Sequence, residues 1–165
     1  MTANKSLKIA VAGVFTALIF LCTYFLQIPA FTGYINLGDG MVLLSAVWLG
    51  FPAIAPAAVG SALSDLFSPF PIYAPATLII KGAMAVVTVL ILRAAGDRKI
   101  ARVPAFLLAE AVMVGGYFLF DRLIYGFAAA VINLGGNGIQ ALFGFVAGLL
   151  LSMLPNPLRQ NTSSH

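Results

Sequence analysis

The first long apolar segment of the chain constrains its fold most strongly. It runs from Leu7 to Gln27, and Lys8 is its single charged residue. A helix over this segment would be roughly 31 Å long at 1.5 Å per residue, which is enough to cross the hydrocarbon core of a bilayer. The whole chain is 61% hydrophobic and only 8% charged, whereas soluble domains carry about 25% charged residues. The sequence therefore predicts an integral membrane protein.

Proline and glycine clusters divide the chain into further apolar segments. We predict an all-α protein with a single membrane domain over residues 1–165 and six transmembrane helices at about 7–27, 39–50, 53–67, 75–95, 104–120 and 137–154. The second and third segments are short for full spans. They form either a pair of compact helices or a hairpin that enters and leaves on the same side of the membrane.

The basic residues indicate the orientation of these helices. If the chain crosses the membrane in six segments, one side of the membrane holds only the basic residue Arg122, next to Asp121. The other side holds seven basic residues: Lys5, Lys8, Arg93, Arg98, Lys99, Arg102 and Arg159. Because positive charge collects in cytoplasmic loops, both termini are predicted to be cytoplasmic. Basic residues distributed in this way are expected of a protein in contact with membrane lipid, so their distribution argues against nucleic-acid binding. A polar cluster then lies at the outer face, made up of Asp39, Asp65, Tyr73, Asp121, Asn133 and Asn137.

Lys81 is the most informative single residue, because it lies inside the apolar segment "YAPATLIIKG". An ammonium group in a membrane helix costs about 2.5–3.5 kcal/mol on insertion scales, so it needs a partner, water or a ligand. We predict that Lys81 forms the floor of an outward-facing polar pocket and donates to a bound solute. The alternatives are that it reaches the outer interface or pairs with Asp65 or Glu110.

Five more residues are predicted to contact a solute in this pocket. Asn137 and Gln140 offer amide donors and acceptors, and Tyr34 and Tyr73 offer rings that stack on a planar ligand. Asp39 completes the set, although it could instead cap the second helix. For the tyrosines the alternative is the interfacial aromatic belt, and for Asn137 it is a loop turn. Glu110, in the middle of the fifth segment, is either a wall of the pocket or a protonated acid bonded to a neighbouring helix.

Small residues mark one face of the first helix. Ala10, Gly13 and Ala17 recur at positions i, i+3 and i+7, a spacing that lets another helix approach closely. This face is predicted to dock a partner membrane protein; the alternative is ordinary packing within one subunit.

The sequence contains no pattern typical of an enzyme. It has no phosphate-binding loop, no pair of catalytic carboxylates and no nucleophile with a base nearby. The presence of one cysteine and one histidine also argues against a metal site. We therefore predict a protein without catalytic activity, metal or cofactor.

The combination of motifs resembles a known family. The segments are "KIAVAGVFTALIF", "GYINLGDGMVLLSAVWLGFPAIAPAAVGSALSDLF", "YAPATLIIKG" and "NGIQALFG", and together they are similar to the substrate-binding S components of energy-coupling factor (ECF) vitamin transporters. The resemblance implies a six-helix protein of the bacterial cell membrane that captures a vitamin outside the cell. It also implies docking to a membrane coupling (T) protein that carries two ATP-binding cassette (ABC) ATPases.

The resemblance assigns roles to particular residues. The small-residue motif of the first helix falls on Gly13 and Ala17, and the ligand site falls on Tyr34, Asp39, Tyr73, Lys81, Asn137 and Gln140. Among vitamins, the resemblance most favours a vitamin B6 compound such as pyridoxine. The alternatives are riboflavin and the thiamine precursor hydroxymethylpyrimidine. Outside this family, the alternatives are a small self-associating channel or carrier and a structural membrane subunit without a ligand.

Overall fold

The computed structural model describes residues 5–29, 34–96 and 98–160, with side chains described through Leu158. The helices in these ranges are α1 (Lys5–Phe25), α2 (Asp39–Leu49), α3 (Ile54–Phe67), α4 (Ala74–Ala94), α5 (Arg102–Ile124), α6 (Phe127–Leu151) and the short α7 (Pro157–Gln160). The strands are β1 (Gln27–Pro29) and β2 (Tyr34–Asn36), which pair as an antiparallel hairpin. The predicted all-α fold is confirmed.

Four of the described helices are long and apolar enough to cross a membrane. They span Lys5–Phe25, Pro71–Ala94, Lys99–Ile124 and Phe127–Leu151, with mean hydropathies between 1.5 and 2.1. Large apolar side chains such as Ile79 and Leu123 point outward and are 69% and 82% exposed. An exposed apolar surface of this kind suits contact with lipid, as in a multi-pass membrane protein.

Helix α2 is even shorter than α3, the other short helix of the bundle. Its 11 residues give a helix of about 17 Å, roughly half the hydrocarbon thickness. It packs against α1, α4 and α6 and ends at Gly50, whose φ of +67° turns the chain into α3. Because α2 begins inside the bundle, its first residue, Asp39, is fully buried. Asp39 is therefore buried at the start of α2, and its location toward the outer side of the membrane stays a prediction.

The boundaries of the last two long helices also differ from the prediction. Helix α5 continues to Ile124 instead of ending near residue 120, and α6 begins at Phe127 instead of residue 137. The sequence predicts that the first part of the polar, glycine-rich stretch "NLGGNGIQ" forms turns and that the last helix begins within it, at residue 137. The whole stretch is helical because α6 packs along α5 and β2, and membrane helices tolerate glycine where neighbouring elements support the backbone.

Close approach of α2 and α6 positions the polar residues of the bundle. A Cβ atom added at Gly40 would lie 2.7 Å from the Cβ of Ala147, and one added at Gly148 would lie 2.7 Å from a methyl carbon of Leu43. Only glycine permits this approach, as in other small-residue helix contacts in membranes. The contact brings the first turn of α2 against the C-terminal half of α6.

Candidate functional site

A polar pocket opens at the end of the bundle where α1 and α3 end and α4 begins. Its empty space is about 530 Å³, a figure that includes open solvent at the mouth. Five of the predicted ligand residues line it: Tyr34, Tyr73, Lys81, Asn137 and Gln140. The rest of the lining is Thr23, Ile35, Asn36, Asp65, Thr77, Tyr117, Asp121, Asn133 and Gly136.

Lys81 and Asp39 form a buried ion pair at the pocket. The Lys81 ammonium group donates a hydrogen bond to Asp39 Oδ1, and the side chains are 1% and 0% exposed. Lys81 also lies 5.5 Å from the centroid of the Tyr117 ring, a distance at which a cation is attracted to the ring face. The partner of Lys81 is thus Asp39 and not Asp65 or Glu110. The burial of Lys81 also shows that it does not extend to the outer interface.

Gln140 connects this ion pair to the hairpin. Its Nε2 donates to Asp39 Oδ2 at 2.7 Å, and its Oε1 accepts from the Asn36 backbone N–H at 2.9 Å and from Asn36 Nδ2 at 3.3 Å. These bonds fix the orientation of the amide. They also tie the position of β2 to that of Asp39 and therefore to that of Lys81.

A second carboxyl group, Asp65 of α3, lines the pocket beside the hairpin. The Tyr34 hydroxyl donates to Asp65 Oδ1, whereas Asp65 Oδ2 is buried without a hydrogen bond. The Thr77 hydroxyl interacts electrostatically with Asp65, but its hydrogen bond joins the Tyr117 hydroxyl at 2.8 Å. Burial, together with the neighbouring Asp65, raises the pKa of the Tyr34 hydroxyl well above its ordinary value, so Tyr34 keeps its proton and acts as a donor.

Asp121 of α5 is the third carboxyl group of the site, and it connects the turn immediately before α4 to α6. It accepts from the Tyr73 hydroxyl at 2.7 Å and from Asn133 Nδ2 at 2.9 Å. The Tyr73 ring lies 5.0 Å from the Phe120 ring and 6.2 Å from the Tyr117 ring, measured between centroids. This arrangement forms a rigid wall of aromatic and hydrogen-bonded groups.

Glu110 lies near the ion pair but outside the residues that line the pocket. It is 3% exposed, and both its carboxyl oxygens are buried without a hydrogen-bond partner. Gly144 makes room for it, because a Cβ at that position would overlap Glu110 Oε1 and lie 2.7 Å from the Asp39 Cβ. The prediction of a wall residue and that of a bonded acid are therefore both wrong for Glu110.

The other predicted site residues, which are Asp39 and the three small residues of α1, do not line the pocket. Asp39 is behind the lining and reaches the pocket through Lys81 and Gln140. Ala10, Gly13 and Ala17 all lie exposed on α1, and a Cβ at Gly13 would meet nothing within 4 Å. Their roles in binding and docking stay predictions.

Several lining residues were not singled out by the sequence. Thr77 precedes Lys81 by four residues, and Tyr117 precedes Asp121 by four, so each pair shares one helix face. Asn133, which the sequence predicts in the outer polar cluster, has the same spacing to Asn137 on α6. The missed lining residues could have been found from the spacing of four residues between polar side chains within apolar helices.

Comparison with known proteins identifies the family. Residues 3–156 match the model of the S component of the ECF-type riboflavin transporter. This chain belongs to that family of S components. The predicted resemblance is confirmed over nearly the whole chain.

Two individual proteins are also similar to this S component. An uncharacterized protein in the gap 3′ region of Pyrococcus woesei is 36% identical over 126 residues, which cover 74% of this chain and 82% of that protein. The thiamine precursor transporter HmpT of Lactococcus lactis subsp. cremoris is 47% identical over 49 residues, 30% of each chain.

Family membership settles the general class of activity. An S component is the substrate-binding subunit of a vitamin transporter and not an enzyme. This one is a multi-pass membrane protein, in agreement with its four long apolar helices.

Proposed function

We propose that this S component binds a water-soluble heterocyclic vitamin in the Lys81 pocket from the outer face of the membrane. It then delivers the vitamin to a membrane coupling (T) protein that carries two ABC ATPases. The observation that supports this most directly is the pocket itself. A buried ammonium group, amides and three tyrosines converge on one cavity, and such groups suit a planar ligand that both accepts and donates hydrogen bonds.

Riboflavin is the first vitamin to test. The family model matches nearly the whole chain, whereas the match to a thiamine precursor transporter covers 30% of it. That shorter match supports hydroxymethylpyrimidine as the second candidate. The vitamin B6 compound favoured by the sequence alone stays a prediction and belongs in the same experiment.

Titration calorimetry of the purified protein in lipid nanodiscs tests the proposal. We expect saturable one-to-one binding of riboflavin, hydroxymethylpyrimidine or pyridoxine, with one of the three bound much more tightly than the other two. Failure of all three to bind would contradict the proposed vitamin site.

The proposed orientation has its own test by cysteine labelling. In a Cys22→Ser background, which removes the one native cysteine, Ile72→Cys is placed at the pocket end and Ile100→Cys at the opposite, basic end. These positions are 48% and 76% exposed. An impermeant thiol reagent added to intact cells should label Ile72→Cys, and should label Ile100→Cys only after the membrane is permeabilised. Labelling of Ile100→Cys in intact cells would contradict cytoplasmic termini.

A further inference from the structure

Many polar side chains that line the pocket are already bonded to other groups of the protein. The Tyr73 hydroxyl donates to Asp121, and the Thr77 hydroxyl is bonded to that of Tyr117. The amide of Gln140 both donates and accepts. A ligand that bonds to these groups competes with existing hydrogen bonds, so the net gain from each is small.

Two atoms of the lining, on neighbouring helices, have no such bond. Thr23 Oγ1 of α1 and Asp65 Oδ2 of α3 are buried without a hydrogen-bond partner, and the two residues are 1% and 3% exposed. The space for the Thr23 hydroxyl depends on Gly38, because a Cβ atom added there would overlap Thr23 Oγ1. Buried polar atoms are nearly always bonded, and leaving one unbonded is costly. Unbonded atoms on a cavity wall therefore indicate where polar atoms of a ligand belong.

The surroundings of Asp65 leave one of its oxygens available. The Tyr34 hydroxyl donates to Oδ1 and so fixes the orientation of the carboxyl group. Lys81 interacts with Asp65 electrostatically, but it donates its hydrogen bond to Asp39. A ligand atom at Oδ2 consequently replaces no existing hydrogen bond.

The chemistry of these two groups defines a class of ligand. A carboxyl oxygen accepts when the group is ionised and donates when it carries the proton, and a threonine hydroxyl does both. A heterocycle edge on which an N–H donor lies beside an acceptor offers a partner in each of these states. We propose that Asp65 and Thr23 determine specificity by binding such an edge, as found in an aminopyrimidine or in the imide of the riboflavin ring. The inference rests on the proposed function and narrows the substrate class of the same site.

Paired titrations in nanodiscs test the requirement for the N–H group. Hydroxymethylpyrimidine is compared with the analogue in which a methyl group replaces the amino group, and riboflavin with its 3-methyl derivative. In whichever pair binds, the analogue should bind at least about tenfold more weakly, because it leaves a buried polar atom without a partner. Affinities within about threefold of each other would overturn the inference. Tightest binding of pyridoxine, whose ring has no N–H beside an acceptor, would overturn it as well.

Asp65→Leu separates the hydrogen bond from a steric effect of the added methyl group. Leucine has nearly the shape of aspartate without its polar atoms, so the two members of the pair should bind within about threefold of each other. A steric effect would persist in this variant. Glu110→Met is the matched control, because Glu110 is also buried and unbonded but lies outside the lining. It should keep the wild-type preference within about twofold, and an undiminished preference in Asp65→Leu would contradict the role of that carboxyl group.

Thr23→Val tests the second atom. Valine has nearly the size of threonine and lacks the hydroxyl group, so the vitamin should bind about threefold to tenfold more weakly while the melting temperature holds or rises. Ser61→Ala is the control, because the Ser61 hydroxyl is also buried and unbonded but lies outside the lining. Its affinity should stay within about twofold of wild type. Wild-type affinity in Thr23→Val would refute the part given to Thr23.

The outcomes separate this inference from the proposed function. A vitamin that binds without dependence on its N–H group or on Asp65 leaves a vitamin site but refutes the proposed specificity. Failure of every tested vitamin to bind refutes the proposed function, and the inference falls with it.

Discussion

Gly13→Leu is expected to abolish ATP-dependent vitamin uptake while leaving vitamin binding nearly intact. Gly13 lies exposed on α1 together with Ala10 and Ala17, and nothing lies within 4 Å of a Cβ added there. The substitution therefore disturbs no contact inside the bundle. It places a large side chain on the face where close helix approach to the coupling protein is proposed, and such faces need small residues.

The matched control is Gly115→Leu on α5. Gly115 is likewise exposed, helical and free of neighbours within 4 Å, so it reports the general cost of adding leucine to the lipid-facing surface. Uptake should survive in Gly115→Leu and disappear in Gly13→Leu, with binding by calorimetry unchanged in both. Equal uptake by the two variants would remove the docking role from this face of α1.

Lys81→Met is expected to reduce both the stability and the vitamin affinity of the protein. Lys81 and Asp39 are paired and buried, and removing one partner of a buried ion pair costs about 3–5 kcal/mol because the other charge is left uncompensated. If Lys81 also donates to the vitamin, the loss of a charge-assisted hydrogen bond of about 1.5–3 kcal/mol lowers affinity roughly tenfold to a hundredfold.

The double variant Lys81→Met with Asp39→Asn separates these two effects. It removes both charges while the new amide oxygen still accepts from Gln140, so the melting temperature should recover most of the loss. The affinity should stay low, since the ammonium group is still missing. Recovery of wild-type affinity in the double variant would show that Lys81 acts only through stability and would refute its role as a ligand donor.

The sequence predicts the all-α fold and, as ligand contacts, five of the residues that line the pocket. Apolar length alone predicts α1 and α4 to within about two residues of their observed ends. Lys81 was identifiable because a charge in an apolar helix is costly and needs an explanation. Tyr34, Tyr73, Asn137 and Gln140 are predicted because they flank the same face, whereas the lining residue Tyr117 is not.

The pairing of Lys81 with Asp39 could not be predicted in this way. It depends on α2 beginning inside the bundle, which in turn depends on the close contact of Gly40 with Ala147 and of Gly148 with Leu43. Such tertiary contacts leave no local sequence pattern. The early start of α6 was missed for a related reason, since packing against α5 overrides the low helix propensity of its glycines and asparagines.

Native mass spectrometry of gently extracted protein tests the central claim most directly. The account predicts that the wild-type protein carries an additional mass equal to one molecule of a vitamin, and that a much smaller fraction of the Lys81→Met, Asp39→Asn double variant carries this mass. A protein that shows only its bare mass after every extraction, including extraction from cells supplied with riboflavin, hydroxymethylpyrimidine and pyridoxine, would contradict a vitamin site in this pocket.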